Sequence, residues 1–196
     1  MKKIPLEISA RHIHLCQEDI EKLFGKGYEL KVCKELSQPG MFAAKETVDI
    51  IFIDKQRQER ALKEVRVVGP QREKTQLEIS LTEAWKIKAK PPIRTSGNIK
   101  NSPGFEIIGP KERVAKKEGM IIARRHLHVD PDTAKTMNLK DGQIIKVQAG
   151  LDTKRRLVFD QIKVRVNKDY KLTCHIDTDE GNAAGMRSCG YGYLVK

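Results

Sequence analysis

The sequence predicts a mainly β protein with short helices, arranged as two similar β-barrel lobes. Turn signals containing glycine, proline or aspartate recur along the chain, and short β-branched runs lie between them. Many short strands at this spacing are typical of barrels and sandwiches. The pentapeptides "RHIHL" (11–15) and "RHLHV" (125–129) occupy matching frames near the two ends, which indicates a duplicated unit.

Nine runs rich in valine, isoleucine and phenylalanine have the composition of pleated, half-buried strands. They span residues 47–53, 64–68, 76–80, 105–108, 119–123, 143–149, 156–159, 162–166 and 171–176.

Four short helices are predicted at 17–24, 81–87, 131–137 and 179–186. Ser80 and Glu83 form a capping-box pattern. Asp130 is a favourable N-cap before Pro131, since proline is tolerated at the first helical position. Asp177 or Thr178 begins the last helix.

The composition limits the function classes. The 196 residues fit one domain or two small ones, and the net charge of +12 predicts an anionic partner. Only 5% of residues are aromatic, which argues against a base-stacking surface, but a nucleic acid and a phosphorylated small molecule both stay open as the anionic partner. No apolar run approaches the ~20 residues of a membrane span, and the N-terminus lacks a signal-peptide pattern, so we expect a cytoplasmic protein.

Four of the five histidines lie in the two pentapeptides. On a strand, residues two apart share a face, so His12 with His14, and His126 with His128, project as pairs. Paired imidazoles on a rigid strand are suitable zinc ligands. Two such pairs in matching frames therefore predict metal binding, with the halves of the site brought together by folding.

A third ligand for each pair is available elsewhere in the chain. His175 lies at the end of a predicted strand, and Glu78 lies within one, between two apolar residues. Asp177, Asp179 and Glu180 compete with Glu78, although they are better placed to cap a helix. Arg72, six residues before Glu78, is suited to bind a phosphate or carboxylate.

Several longer blocks resemble the PduL-type phosphate acyltransferases, a family that includes the phosphate propanoyltransferases of propanediol-utilising microcompartments. The resemblance covers essentially the whole chain, in order. It is carried by "SARHIHL", "LSQPGMFAAKETV", "VRVVGPQREKTQLEIS", "RTSGNIKNSPG", "IIARRHLHV" and "HIDTDEGNAAG".

The resemblance implies the reaction acyl-CoA + phosphate ⇌ acyl phosphate + CoA, with a propanoyl or acetyl group as the acyl chain. It also implies two β-barrels capped by short helices, with a two-zinc site at their interface. The first lobe would comprise residues 11–123, and the second would comprise 124–196 completed by strand 1–10.

The resemblance also assigns roles residue by residue. One zinc would be held by His12, His14 and Glu78, and the other by His126, His128 and His175. Phosphate would be bound by Arg72 with help from Ser96. Coenzyme A would be contacted by Ser9, Lys34, Arg66, Val68 and Asn182.

Two departures from the family pattern carry information. Ala43 and Ala44 replace a cysteine expected there, which argues against a catalytic thiol at that place. The chain begins almost directly at its first strand, without the N-terminal extension of the microcompartment forms, so a cytosolic enzyme is favoured. We expect small-molecule partners, neither nucleic acid nor membrane, and a homo-oligomer is possible.

From local features alone, two other functions remain open. The same metals could activate water, which would make the protein a two-zinc phosphoester or thioester hydrolase. Alternatively, zinc could have a purely structural role, in a non-enzymatic protein whose basic surface binds nucleic acid. The chain-long resemblance favours the transferase.

Overall fold

The computed structural model describes residues 2–195, and it confirms the mainly β class with short helices. Its strands are β1 (Lys3–Ser9), β2 (His12–His14), β3 (Val32–Glu35), β4 (Phe42–Ile53), β5 (Glu59–Gly69), β6 (Gln76–Glu78), β7 (Ile93–Arg94), β8 (Phe105–Ile108), β9 (Arg113–Lys116), β10 (Met120–Ala123), β11 (His126–Val129), β12 (Ile144–Ala149), β13 (Leu157–Val166), β14 (Thr173–Asp177) and β15 (Cys189–Val195). Its helices are α1 (Gln17–Phe24), α2 (Leu81–Lys86), α3 (Pro131–Met137) and α4 (Thr178–Ala183).

The described residues form two compact units. The barrel unit comprises residues 2–10, 37–39 and 124–195, and the open-sheet unit comprises residues 11–36 and 40–123. Among the described residues, no helix has the length and apolar character needed to cross a membrane.

The barrel unit contains a closed sheet of six strands, in the order β1-β14-β11-β13-β12-β15. Strand β1 completes it, running parallel to β14 and antiparallel to β15. The inward positions alternate with polar ones along each strand, and their apolar side chains are fully buried. This core includes Ile4, Leu6, Leu127, Val147, Ile162, Val164 and Cys174.

The open-sheet unit contains nine strands in the order β7-β10-β6-β2-β5-β4-β8-β9, with β3 added to β4. This sheet is a half-barrel, so of the two predicted barrel lobes only the other closes completely. Helix α1 covers it with Ile20, Leu23 and Phe24. Its core also includes Ile13, Leu15, Ile50, Val67, Leu77, Ile107 and Met120.

The two units share one connectivity, as the repeated pentapeptides predict. Strand β2 lies between β5, its parallel neighbour, and β6, its antiparallel neighbour. Strand β11 has the same relation to β13 and β14. Strand β1 comes directly before β2 of the open-sheet unit in the chain, yet it pairs with β14 in the barrel unit. Strand β10 comes directly before β11 of the barrel unit, yet it pairs with β6 in the open-sheet unit. Each sheet is therefore completed by the strand that precedes the other unit's His-x-His strand.

The sequence does not predict four of the strands, which are β3, β7, β9 and β15, and it divides one strand into two. The runs 156–159 and 162–166 are the continuous strand β13, which is bent by a bulge between them. Strand β3 is exposed at every position, so it has no apolar alternation. In β15, Gly192 lies against β12, where a Cβ atom would come within 2.5 Å of the Gln148 carbonyl oxygen. That glycine marks close strand packing and not a turn. Strands β7 and β9 are short edge strands.

The helix-start signals act as predicted. The Ser80 hydroxyl accepts the Glu83 N–H while the Glu83 side chain accepts the Ser80 N–H, which is a complete capping box. Asp130 caps α3 by accepting the Thr133 N–H. Asp177, the predicted competitor of Glu78, instead caps α4 in a second capping box with Glu180.

A buried carboxylate joins α1 to its sheet. Asp19, 1% exposed, accepts hydrogen bonds from the Thr75 hydroxyl and from the Lys116 ammonium, the latter at 2.8 Å. Burial alone would raise the pKa of Asp19, but Lys116 and Thr75 together hold it below its ordinary value. The ionised form therefore stabilises the fold above the ordinary aspartate pKa, and this contribution is lost as the pH falls through the lowered value.

Asp19→Asn should lower the free energy of unfolding by about 1–3 kcal/mol near neutral pH, because Lys116 loses its charged partner. The deficit should shrink as the pH falls through the lowered pKa of Asp19, because the wild-type carboxylate is then also protonated. Urea denaturation across this pH range measures both effects.

Glu18→Gln is the matched control, because Glu18 forms an exposed ion pair with Lys22 at 2.6 Å on the same helix. We expect no measurable change for it. A deficit for Asp19→Asn that is as large in acid as at neutral pH would show that the charge is not its source.

Candidate active site

Each His-x-His strand faces an antiparallel strand that supplies a third side chain. His12 on β2 lies directly opposite Glu78 on β6. His126 on β11 lies directly opposite His175 on β14. The third member of each group therefore occupies the same place in both units, across the ladder from the first histidine.

The first group consists of His12, His14 and Glu78, and it lies wholly in the open-sheet unit. The Nε2 atoms of His12 and His14 are 3.2 Å apart. Glu78 Oε2 is 3.7 Å from His12 Nε2, and Glu78 Oε1 is 3.9 Å from His14 Nε2. His14 and Glu78 are buried, so three polar groups converge where little water reaches them.

The second group consists of His126, His128 and His175, in the barrel unit. One ligand atom from each lies within 4.8 Å of the others. The Nδ1 atom of His126 is 2.9 Å from the Arg124 carbonyl oxygen. The Tyr170 ring stacks on His128 with centroids 4.0 Å apart, which limits the orientation of that imidazole.

Both groups have donor sets that fit zinc. Ligand atoms at about 2.0–2.1 Å from a tetrahedral ion lie roughly 3.4 Å from one another, close to the separations in the first group. Sets of three histidines, or two histidines and a glutamate, are those of catalytic zinc sites, which keep a fourth position open. His14 Nδ1 lies 3.0 Å from the Val68 carbonyl oxygen, so its Nε2 is presented to the group.

The electrostatics favour the ligand forms of these side chains. Burial, followed by the charges of His12 and Arg72, lowers the pKa of His14 well below its ordinary value, which keeps the imidazole neutral. Burial would raise the pKa of Glu78, but the neighbouring histidines, the Ser96 hydroxyl and Arg72 lower it to about 2. A neutral imidazole and an ionised carboxylate are the states in which these groups bind metal ions.

A hydrogen-bond network joins the first group to an arginine. Arg72 Nη1 donates to the Ser96 hydroxyl oxygen at 3.0 Å, and that hydroxyl donates to Glu78 Oε1 at 2.7 Å. Gln76 Nε2 donates to Glu78 Oε1 at 2.6 Å and to Ser96 at 2.9 Å. The structure thus brings Arg72 and Ser96 to Glu78, and their predicted role in phosphate binding stays a prediction. Sequence analysis missed Gln76, although its place two residues before Glu78 puts both on one strand face.

The arginine that begins each pentapeptide has a structural role. Arg11 Nη1 donates to the carboxylate of Glu83, the capping-box residue of α2, at 2.8 Å, and Nη2 donates to the Lys63 carbonyl at 3.2 Å. Arg125 in the barrel unit likewise donates to the carboxylate of Glu180 and, at 2.6 Å, to the Asp160 carbonyl.

The two carbonyls bound by these arginines lie at equivalent β-bulges. In β5 the register shifts at residues 63–64, and in β13 it shifts at residues 160–161. The second bulge residue, Glu64 or Gln161, has a positive φ in each case. A bulge turns a carbonyl away from the ladder, and the arginine supplies its hydrogen-bond donor.

Four of the five positions predicted to contact coenzyme A lie on elements next to the two groups, whereas Lys34 lies farther out, on β3 beside β4. Arg66 is the ladder partner of His12, and its Nη1 donates to the carbonyls of Ala44 and Lys45. Val68 contacts His14 through its carbonyl, and Lys34 is exposed on β3. In the barrel unit, Ser9 is the ladder partner of Asp177, and Asn182 lies on α4.

The sequence profile of one family, phosphate propanoyltransferase, matches residues 5–187. The chain belongs to the phosphate propanoyltransferase family. Curated relatives of that name support this over nearly the full length. The protein of Thermotoga maritima is 46% identical over 96% of this chain and 87% of its own. That of Lachnoclostridium phytofermentans is 47% identical over 95% and 84%. That of Priestia megaterium is 46% identical over 95% and 82%.

Members of this family are acyltransferases by name, so the site must be considered for acyl transfer. Cys174 is excluded by geometry as a nucleophile beside the second group. Cys174 adjoins His175 but points into the barrel core, where burial raises the pKa of its thiol far above the ordinary value. Ala44, at the place of the expected family cysteine, is fully buried.

Arg125→Lys should destabilise the barrel unit by about 1–2 kcal/mol, because one ammonium cannot span the Glu180 carboxylate and the Asp160 carbonyl as a guanidinium does. Chemical denaturation of the metal-free chain measures the change without a contribution from bound ions.

Arg156→Lys is the control, since Arg156 is exposed and donates one hydrogen bond, to the Leu151 carbonyl. It should behave as wild type. Equal stability of the Arg125→Lys chain and the wild type would contradict a bridging role for Arg125.

Proposed function

We propose that the chain transfers a short acyl group, propanoyl or acetyl, between coenzyme A and inorganic phosphate. The reaction is acyl-CoA + phosphate ⇌ acyl phosphate + CoA. The observation that carries this proposal is the Arg72–Ser96–Glu78 network, which places an anion-binding guanidinium beside a candidate metal-ligand group. Membership of the family supports the reaction class.

We propose that Arg72 binds the phosphate. A guanidinium matches the oxygens of a phosphate in two-pronged geometry. Phosphate in water attacks a thioester slowly, because it is strongly hydrated and repelled by electron-rich centres. Arg72 is held at both ends, by its own N–H to the Leu15 carbonyl at 2.9 Å and by its Nη1 to Ser96. A guanidinium fixed in this way replaces part of the hydration and orients one phosphate oxygen.

We propose that His12, His14 and Glu78 hold one zinc ion and that His126, His128 and His175 hold a second. Zinc, when bound, supplies Lewis-acid stabilisation of negative charge on the substrate carbonyl and of the leaving thiolate. The protein's own contribution is to keep the His14 imidazole neutral and the Glu78 carboxylate ionised. That both groups form one site at an interface between lobes 11–123 and 124–196 (with strand 1–10) stays a prediction.

We propose that phosphate attacks the thioester carbonyl directly. The C–O bond to phosphate forms, the C–S bond breaks, and coenzyme A leaves as a thiolate. The fully buried Cys174 side chain is turned away from the histidines and cannot form an acyl-enzyme intermediate. Coenzyme A would be held by Ser9, Lys34, Arg66, Val68 and Asn182, and the net charge of +12 favours such a polyphosphorylated substrate.

The purified chain should release coenzyme A from propanoyl-CoA or acetyl-CoA only when phosphate is supplied, with acyl phosphate formed in equal amount. Thiol detection with a parallel acyl-phosphate assay tests this, and metal content is measured on the same sample. About two equivalents of zinc are expected, since there are two three-ligand groups.

His126→Ala should reduce the zinc content to about one equivalent and abolish exchange while the circular dichroism spectrum stays β-rich. Thiol release that needs no phosphate would contradict the proposal and favour a hydrolase. Full activity of a metal-free preparation would contradict the role of zinc.

Arg72→Ala should raise the KM for phosphate by about 10–100-fold and change the KM for acyl-CoA little, because the lost contact is to phosphate. Initial rates with each substrate varied in turn give both constants. Arg113→Ala is the control, since Arg113 is an exposed arginine of the same unit that pairs with Glu106 at 3.0 Å. An unchanged phosphate KM in Arg72→Ala would overturn this assignment.

A further inference from the structure

We propose that Gln76 is a positioning residue that couples the metal-ligand carboxylate of Glu78 to the phosphate-binding pair Arg72 and Ser96. This inference rests on the proposed function. It concerns a side chain to which neither the sequence motifs nor the family resemblance gives a role.

The position of Gln76 follows from the strand register. Gln76 and Glu78 are two residues apart on β6, so they share a face, and Gln76 lies opposite His14 as Glu78 lies opposite His12. Gln76 is 1% exposed, so its amide must find its partners within the protein.

The hydrogen bonds determine which way the amide faces. The Gly97 N–H donates to Gln76 Oε1 at 2.7 Å, and this requires the NH2 group to point the other way. That NH2 group donates to Glu78 Oε1 at 2.6 Å and to the Ser96 hydroxyl oxygen at 2.9 Å. The two amide atoms are therefore bound to three groups, one on β6 itself and two in the adjacent residues Ser96 and Gly97.

Glu78 is oriented by this arrangement. Its Oε1 accepts two hydrogen bonds, from Gln76 and from Ser96, while its Oε2 faces His12 Nε2 at 3.7 Å. Ser96 has one proton, which it gives to Glu78, so its contacts with Arg72 and Gln76 are accepted ones. A change at Gln76 thus acts on the carboxylate and on the support of Arg72 together.

The barrel unit has no counterpart at the equivalent ladder position. There Thr173 lies opposite His128, and its hydroxyl donates to the adjacent Leu172 carbonyl. Gln76 therefore distinguishes the two groups, and its loss should weaken one metal site and phosphate binding while it leaves the other metal site intact.

Gln76→Glu is the decisive variant. It keeps the size of the side chain and an oxygen for the Gly97 N–H, but replaces the donor facing Glu78 by a negative oxygen. We expect about 10–100-fold weaker zinc binding at one of the two equivalents, as for other residues that orient metal ligands. The KM for phosphate should rise about tenfold, with the KM for acyl-CoA nearly unchanged.

The measurements are zinc affinity by competition with a chromogenic chelator, the two KM values, and the melting temperature of the metal-free chain. Gln76→Met, which removes the donors and the acceptor, should show the same zinc and phosphate defects. Gln143→Glu is the matched control, because the Gln143 side-chain oxygen also accepts a backbone N–H, from Lys140 at 2.9 Å, far along the chain from either group. It should match wild type in all readouts.

Zinc affinity and phosphate KM of Gln76→Glu equal to wild type would overturn the inference, and so would tighter zinc binding. A defect confined to Gln76→Met would also overturn it, since it would assign Gln76 to anchoring the Gly97 turn alone. Failure of the proposed function has a different signature, because the wild type itself would then lack zinc or phosphate-dependent turnover.

Discussion

The pairing register between each His-x-His strand and its antiparallel neighbour is the constraint on which the rest of this protein depends. It places Glu78 opposite His12 and His175 opposite His126. Because strand side chains alternate between faces, a slip by one residue would turn the ligand side chains into the core. Ile13 and Leu127, fully buried between the paired histidines, resist such a slip, since it would expose them.

The same devices maintain this register in both units. The parallel neighbour of each His-x-His strand, β5 or β13, has a bulge. The arginine that precedes the histidines binds the carbonyl at that bulge. Another nitrogen of the same guanidinium binds the capping-box glutamate of the next helix, which is α2 after Glu78 and α4 after His175. The arginine therefore ties two segments, the bulged strand and the helix, to the start of the His-x-His strand, which explains its presence in both pentapeptides.

The units differ in what surrounds their histidines, and this difference bears on acyl transfer. Around Glu78, buried polar side chains continue the hydrogen bonding to Arg72. In the barrel unit, the Tyr170 ring stacks on His128. The two groups thus occupy equivalent places in the repeated unit but have different surroundings, with a guanidinium joined by hydrogen bonds to the first. Under the proposed function this asymmetry is expected, because phosphate and a thioester are different substrates.

Much of this protein is determined by local sequence. The His-x-His spacing, the capping box at Ser80, the start of the last helix at Asp177 or Thr178 and the alternating apolar runs depend on neighbours within a few residues. The sequence alone therefore predicts them. Tertiary structure decided the rest. The presentation of Glu78 depends on Gln76 and Ser96, the closure of the barrel depends on β15, and β1 and β10 each complete a sheet whose His-x-His strand lies far away in the chain. These features arise from pairing between distant segments, whose energy depends on register and packing and leaves no periodic signal in either segment.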